Sequence, residues 1–438
     1  MSDRKRYKLR RTAARTTRNR REIAPDHEPS GFPPPNRQAS IRLRLHELGA
    51  SGADILLALA AAVVSGIAYF PIVRGLLSGP SDYTAHASFA QLLVDKGIIY
   101  APACLFHLLV AGIVVSGATA SFRAAALAVA VGSYALLGAM IYFAARQALG
   151  CGRSLASRLV PLAVAIALPF VQPVEPRISY TIGYLWAEPY YSPTYVLLKP
   201  LALAASAFAV CFLTPRGRDR RLSIVLCAAV VAAGTLAKPN FALCALPAVV
   251  VCSAWNYLRK RRFSMAGVAF GILLPALAVL LWQYQRTYAS VAEHQYSDSI
   301  VFAPLAVMKY HATGLALKYL LSVLFPLSVL AVYGRRAWAD TGLRFSSVAF
   351  AFGTAYTYTL AEKQGLGNGN FLWGTYITLF ILFFFSIAFL LRQIRDGVRT
   401  PAAWLRATPC LLALAAHLES GISTHLLYLR MYLPKFPL

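Results

Sequence analysis

A chain of 438 residues that is 58% hydrophobic and only 14% charged is too apolar for an ordinary soluble protein, in which charged residues make up about a quarter. The formal net charge of +26 would point a soluble chain toward nucleic acid. Here the basic residues cluster in short loops between apolar runs, a pattern that encodes membrane orientation and needs no nucleic-acid partner.

Residues 1–50 read as a disordered, basic cytoplasmic tail. Thirteen Lys/Arg stand against five Asp/Glu up to Glu47, and Pro25, Pro29 and Pro33-Pro34-Pro35 oppose regular structure. Such a tail touches anionic head groups or sets topology. From residue 51 to 438 the chain reads as one all-α transmembrane bundle of about 11–13 segments. The expected spans are 53–77, 102–118, 122–146, 157–171, 194–213, 222–237, 240–258, 265–283, 315–333, 344–361, 371–391 and 402–418. Six cysteines (Cys104, Cys211, Cys227, Cys244, Cys252 and Cys410) fall inside these runs as small hydrophobes and Cys151 stands alone, so no metal spacing or disulfide framework is present.

The basic turns at 215–221, 259–262, 334–336 and 392–395 should be cytoplasmic. The loops 284–314 and 362–370 and the turn at Lys238-Pro239-Asn240 then face outward. Alternation breaks once. With every span crossing, 147–156 would lie outside despite Arg146, Arg153 and Arg158. That placement changes only if short, proline-bearing 157–171 (Pro161, Pro169) is a re-entrant or broken helix, and the sequence leaves open whether it crosses.

The first outer loop carries Ser81-Asp82-Tyr83 and opens an amphipathic stretch that ends at Gly97. The stretch should lie along the membrane face on Phe89, Leu92 and Leu93. Asp82 can cap this helix, and an acid at a membrane surface is also a candidate for chemistry. His86 lies one turn on and can orient its carboxylate. Residues 172–193 mix interfacial Tyr and Trp with Glu175, Arg177 and Glu188, a composition that also suits a sugar. The loop at 284–314 holds His294. The late loop 361–374 offers Glu362 and the amide of Asn370 among glycines. Lys238 either snorkels to the head groups or meets a lipid phosphate.

In their order, these features resemble the integral-membrane glycosyltransferases of the GT-C fold. The residues that carry the likeness are Ser81-Asp82-Tyr83 with its surface helix, Tyr100-Ala101-Pro102 opening the next segment, Leu236-Ala237-Lys238-Pro239-Asn240-Phe241, and Ala361-Glu362 with Gly369-Asn370-Phe371-Leu372-Trp373, within roughly 53–392. The chain departs from that pattern in having a single acid at Asp82 rather than a pair, and in lacking a large soluble C-terminal domain. The resemblance implies an enzyme that moves a sugar from a polyprenyl-phosphate carrier to an extracytoplasmic glycan or lipid acceptor. Asp82 matches the first-loop acid and would act as base, aided by His86. Lys238, Arg177 and His294 would meet phosphate, and Glu188, Glu362 and Asn370 would meet substrate. A lipid monophosphate can leave without a cation, so no metal or other cofactor is expected. Alanine- and arginine-rich usage fits a bacterial inner membrane, with the N-terminus cytoplasmic and the active site outside.

Two alternatives remain open. A surface-polysaccharide polymerase or ligase would use one large Arg- and His-rich loop, and 284–314 holds Arg286 as its single arginine. A lipid or polysaccharide transporter (flippase) would show inverted repeats and charges at mid-membrane. The two halves of the chain do not resemble each other, and most ionisable residues sit at span ends.

Overall fold

The computed structural model describes residues 51–150, 152, 154–175, 184–185, 190–214, 221–286, 299–363, 367, 369–397 and 400–433. The basic tail expected over 1–50 lies outside the described residues. The rest is the expected all-α, multi-pass bundle. Its helices are α1 (Gly52–Leu77), α2 (Asp82–Lys96), α3 (Leu105–Val115), α4 (Phe122–Leu149), α5 (Leu155–Ala167), α6 (Pro193–Leu213), α7 (Arg221–Ala237) and α8 (Asn240–Leu258). A π-helical stretch (Gly267–Leu273) leads into α9 (Leu274–Tyr284). Then come α10 (Ala306–His311), α11 (Leu315–Tyr333), α12 (Arg335–Ala339), α13 (Thr341–Thr359), α14 (Leu372–Gly397) and α15 (Pro401–Tyr432). Two three-residue strands, β1 (Ile300–Phe302) and β2 (Leu360–Glu362), pair antiparallel. Among the described residues, eight helices are long and apolar enough to cross a membrane.

Packing follows from where the small and large residues fall. Leu56, Leu59, Val63 and Ile67 are exposed at helical spacing along α1, a lipid-facing stripe. The opposite face carries Ala58, Ala61 and Ser65 and meets α4 closely: a Cβ at Gly138 would stand 2.5 Å from the Ala61 carbonyl oxygen. Small residues let two backbones approach where lipid gives no hydrophobic drive. The centre is formed by α6 and α14, each 83% buried along its most apolar stretch.

The structure corrects one expected crossing and decides another that the sequence left open. Asp54 at the start of α1 pairs with Arg146 (3.0 Å) and accepts from the Tyr142 hydroxyl (3.1 Å), both late in α4. Tyr69 stacks on Tyr134 at 3.9 Å. Hence α1 and α4 are antiparallel, and α4 begins at the end where α1 finishes. The segment expected to span over 102–118 therefore does not cross. Its helix α3 has 11 residues, about 16 Å, half a hydrocarbon core. The run whose crossing the sequence left open, 157–171, does traverse the bundle. Arg158 near the start of α5 lies 3.3 Å from Asp54, and past its end, in the 3₁₀ turn Leu168–Phe170, Pro169 accepts from Tyr69. With these two changes the alternation closes. Arg146, Arg158, Arg259, Arg335, Arg336, Arg392 and Arg395 gather at the end where the chain enters α1. Asp82 and Lys238 lie at the other.

This arrangement predicts a labelling result. In a Cys151→Ser background, Ala120→Cys and Asp95→Cys should both react with an impermeant maleimide from the same side of the membrane. The six described cysteines are buried and should stay silent. Reaction of the two sites from opposite sides would mean that α3 crosses.

Residues 172–193 read as an interfacial stretch. Of their described parts, Gln172, Leu185, Tyr190 and Ser192 are buried in the bundle, while Tyr191 is exposed. The Gln172 amide donates to the Ser420 carbonyl at 2.8 Å, Val174 N to Leu321 O at 3.1 Å, and Leu185 N to the Ser322 hydroxyl at 2.9 Å. Irregular backbone is tolerated at this depth because neighbouring helices satisfy its polar groups. The last expected span, 402–418, continues as helix to Tyr432.

Candidate functional site

Helix α2 places its acid without using it as a cap. Ser81 is the N-cap. Its hydroxyl accepts from Thr84 N (3.3 Å), and its own N–H donates to the Thr84 hydroxyl (3.0 Å). Asp82, the first helical residue, is thereby released from the capping role the sequence allowed. The helix stops at Gly97, whose φ of 69° is the left-handed geometry that glycine adopts freely. Its buried face is Tyr83, Ala87 and Ala90, while the expected anchors Phe89, Leu92 and Leu93 are half-buried.

From Asp82 a line of polar groups runs in two directions. One goes through histidines: His86 Nε2 lies 3.5 Å from the Asp82 carboxylate, and His86 Nδ1 lies 2.6 Å from Nε2 of His107 on α3. One imidazole N–H must donate to the other ring's lone pair. Phe106 and Phe89 set their edges against these rings and hold them.

The other direction leads to Lys238. Ser192 stands beside Asp82, where its hydroxyl favours the carboxylate, and lies 3.0 Å from the Thr194 hydroxyl, which accepts from Lys238 Nζ at 3.4 Å. Ser192 occupies the N-cap of α6, but its side chain makes no cap bond. Pro193 at the first helical position lowers that cost by removing one orphan donor. The acid and the cation are thus held apart by two buried hydroxyls rather than neutralised in a contact pair. Lys238 also sits 4.3 Å from the centre of the Trp373 ring, a cation–π contact.

The electrostatics follow from this layout. Burial pushes the Asp82 carboxyl up. The hydrogen bond and charge of His86, the Ser192 hydroxyl and the Lys238 charge together outweigh it, so the carboxyl ends below its ordinary value and is ionised at neutral pH. Burial pulls the Lys238 ammonium down to about 8, against the opposing pull of Asp82.

The late loop closes over the Lys238 turn. Asn240 donates to the Asn370 carbonyl at 2.8 Å, and the Asn370 amide donates to Glu362 at 2.7 Å. Glu362 is held in β2 opposite Ile300. Of the residues singled out from sequence, Asp82, His86 and Lys238 form one cluster, and Glu362 with Asn370 form a pair beside it. Glu188, Arg177 and His294 lie outside the described residues. Sequence reasoning did not select His107, Ser192 and Thr194. A lone histidine after Cys104-Leu105-Phe106, and a serine directly before a helix-opening proline, were the available signals.

No family model, no curated protein and no solved structure matches this chain, so the side-chain arrangement itself has to carry any assignment.

Proposed function

We propose that this protein is a membrane glycosyltransferase that takes a sugar from a polyprenyl-phosphate carrier, with Asp82 as general base and Lys238 as phosphate partner. The observation that carries this reading is the convergence of an ionised, non-capping acid with a cation that follows it by more than 150 residues in the chain, both at the bundle end opposite Arg146, Arg158, Arg259, Arg335, Arg336, Arg392 and Arg395. By the charge rule, that end is the extracytoplasmic one, where carrier-linked donors are used.

The step needs two groups. An acceptor hydroxyl oxygen attacks the anomeric carbon, and its proton passes to the Asp82 carboxylate. The anomeric carbon–oxygen bond breaks with its electron pair going to the phosphate oxygen, where the Lys238 ammonium stabilises the growing charge. His86 orients Asp82, and the contact to His107 gives the proton a route onward. Glu362, Asn370 and Asn240 offer hydrogen-bond partners for hydroxyls beside the cation, and Trp373 offers a stacking face. The direct test is transfer by the purified chain from radiolabelled polyprenyl-phosphate sugars. No labelled product with any donor sugar would end the proposal.

The pH profile adds a second check. The ammonium form of Lys238 is the active one, and it is lost as pH rises through about 8. Transfer should therefore fall roughly tenfold between pH 7 and pH 9. It should show no acid limb down to about pH 5, because Asp82 is already ionised there. Lys238→Met should cost roughly 10–100-fold in apparent donor affinity, the worth of a charged hydrogen bond, and should abolish the alkaline limb. A wild-type profile flat to pH 10 would show that Lys238 only snorkels.

A further inference from the structure

The last helix reaches the site from behind, and nothing above uses it. At its outer end α15 lies against the end of α1: a Cβ at Gly75 would stand 2.4 Å from the Tyr432 ring. About two turns earlier on α15, His425 is buried, and its Nδ1 lies 2.5 Å from the hydroxyl of Tyr190, a residue 235 positions before it. Phe170 and Tyr69 stand near right angles to the imidazole, with ring centres 4.9 and 5.2 Å away. Tyr428 packs on Tyr190 at 4.7 Å.

Tyr190 opens a run of three residues whose side chains serve three places. Tyr190 is buried against α15. Tyr191 is exposed, and its ring lies 6.1 Å from that of Trp373, which carries Lys238 at 4.3 Å. Ser192 is buried beside Asp82. Pro193 fixes the chain on one side of Ser192 by opening α6. On the other side the run is held by the bond to His425. A buried hydroxyl and imidazole add little net stability, because two apolar side chains of the same shape would do nearly as well. What a short buried bond adds is direction: it admits one arrangement of the two side chains and so fixes how the chain enters α6.

We propose that His425 is a positioning residue for the reaction at Asp82: it holds Tyr190, and Tyr190 sets the Ser192 hydroxyl beside the carboxylate. The inference rests on the transferase reading. Neither His425 nor Tyr190 touches the acid, so both act through Ser192. Misplacing a reacting group by about 1 Å can cost about 10²-fold in rate, and loosening it at one remove should cost about tenfold.

The test is a double-mutant cycle in the full-length chain, with the radiolabelled polyprenyl-phosphate sugar that the native chain transfers. Tyr190→Phe deletes the hydroxyl and keeps the ring, and it should lower kcat about tenfold. Ser192→Ala should do the same, and adding Tyr190→Phe to Ser192→Ala should change kcat by less than about twofold. A mere loss of folded protein would lower both backgrounds alike. His425→Leu should match Tyr190→Phe. His425→Asn, whose amide can donate or accept at the same place, should recover most of the rate. Native kcat in Tyr190→Phe, or equal falls in the two backgrounds, overturns the proposal. Should Tyr190→Phe fail to fold, native kcat in His425→Leu, or a His425→Asn chain no faster than His425→Leu, overturns it. A native chain that transfers no sugar ends the transferase reading and this inference with it, whereas a failed cycle in an active chain ends this inference alone.

Discussion

Replacing Asp82 with Asn should lower sugar transfer by roughly 10²–10⁴, the usual worth of a positioned general base, while the protein stays folded. Asn keeps the shape of the side chain and removes both the charge and the proton acceptor. The fold should survive because Asp82 does not cap α2; Ser81 and Thr84 do so reciprocally. For the same reason Asp82→Ala should express as well as Asp82→Asn and be just as inactive. Ser81→Ala should instead lose about 1 kcal/mol of stability, the ordinary value of an N-cap. Transfer rates for the three variants, set beside their melting midpoints, separate chemistry from capping. Near-normal transfer by a folded Asp82→Asn protein would end the case for a catalytic acid.

The largest effect on stability is expected at the opposite end. Asp54→Ala should destabilise the bundle by about 3 kcal/mol, the lower part of the range for deleting one partner of a buried ion pair. Asp54 is fully buried, and it gathers Arg146 at 3.0 Å, Arg158 at 3.3 Å and the hydroxyl of Tyr142 at 3.1 Å. Its removal leaves two guanidinium groups facing each other across the starts and ends of three helices. The arginines keep 14% and 12% of their side-chain surface exposed, so water relieves part of the loss. Asp54→Asn should cost less, since the amide oxygen can still accept from Ser51 and its NH2 can donate to the Tyr142 hydroxyl oxygen. The check is an unfolding titration in mixed micelles. An unchanged midpoint for Asp54→Ala would show that the arginines are fully solvated without it.

Asp54 also explains where the sequence misled. Hydropathy marks 102–118 as a span because apolar length is all that it registers. It leaves 157–171 undecided, because two prolines and a short run also fit a broken helix. What decides both is the antiparallel register of α1 and α4. That register is fixed by contacts between residues about 65 to 90 positions apart: Asp54 with Tyr142, Gly138 with Ala61, and Tyr69 with Tyr134. No local pattern contains them. Lys199 is a similar case. It falls inside an expected span and so belongs to the bundle, but its burial depends on how α6, α14 and α15 pack.

The sequence by itself determined the all-α membrane class, the more basic end of the bundle, and three members of the cluster: Asp82, His86 and Lys238. Each is a property of composition or of neighbours within one helical turn, which is the range over which periodicity and charge can be read. The tertiary structure alone decided which segments cross, that Ser81 rather than Asp82 caps α2, and that His107, Ser192 and Thr194 complete the line from imidazole to ammonium. Those facts are hydrogen bonds and register between distant segments. Their partners meet only when buried small residues and satisfied polar groups select one packing of the helices.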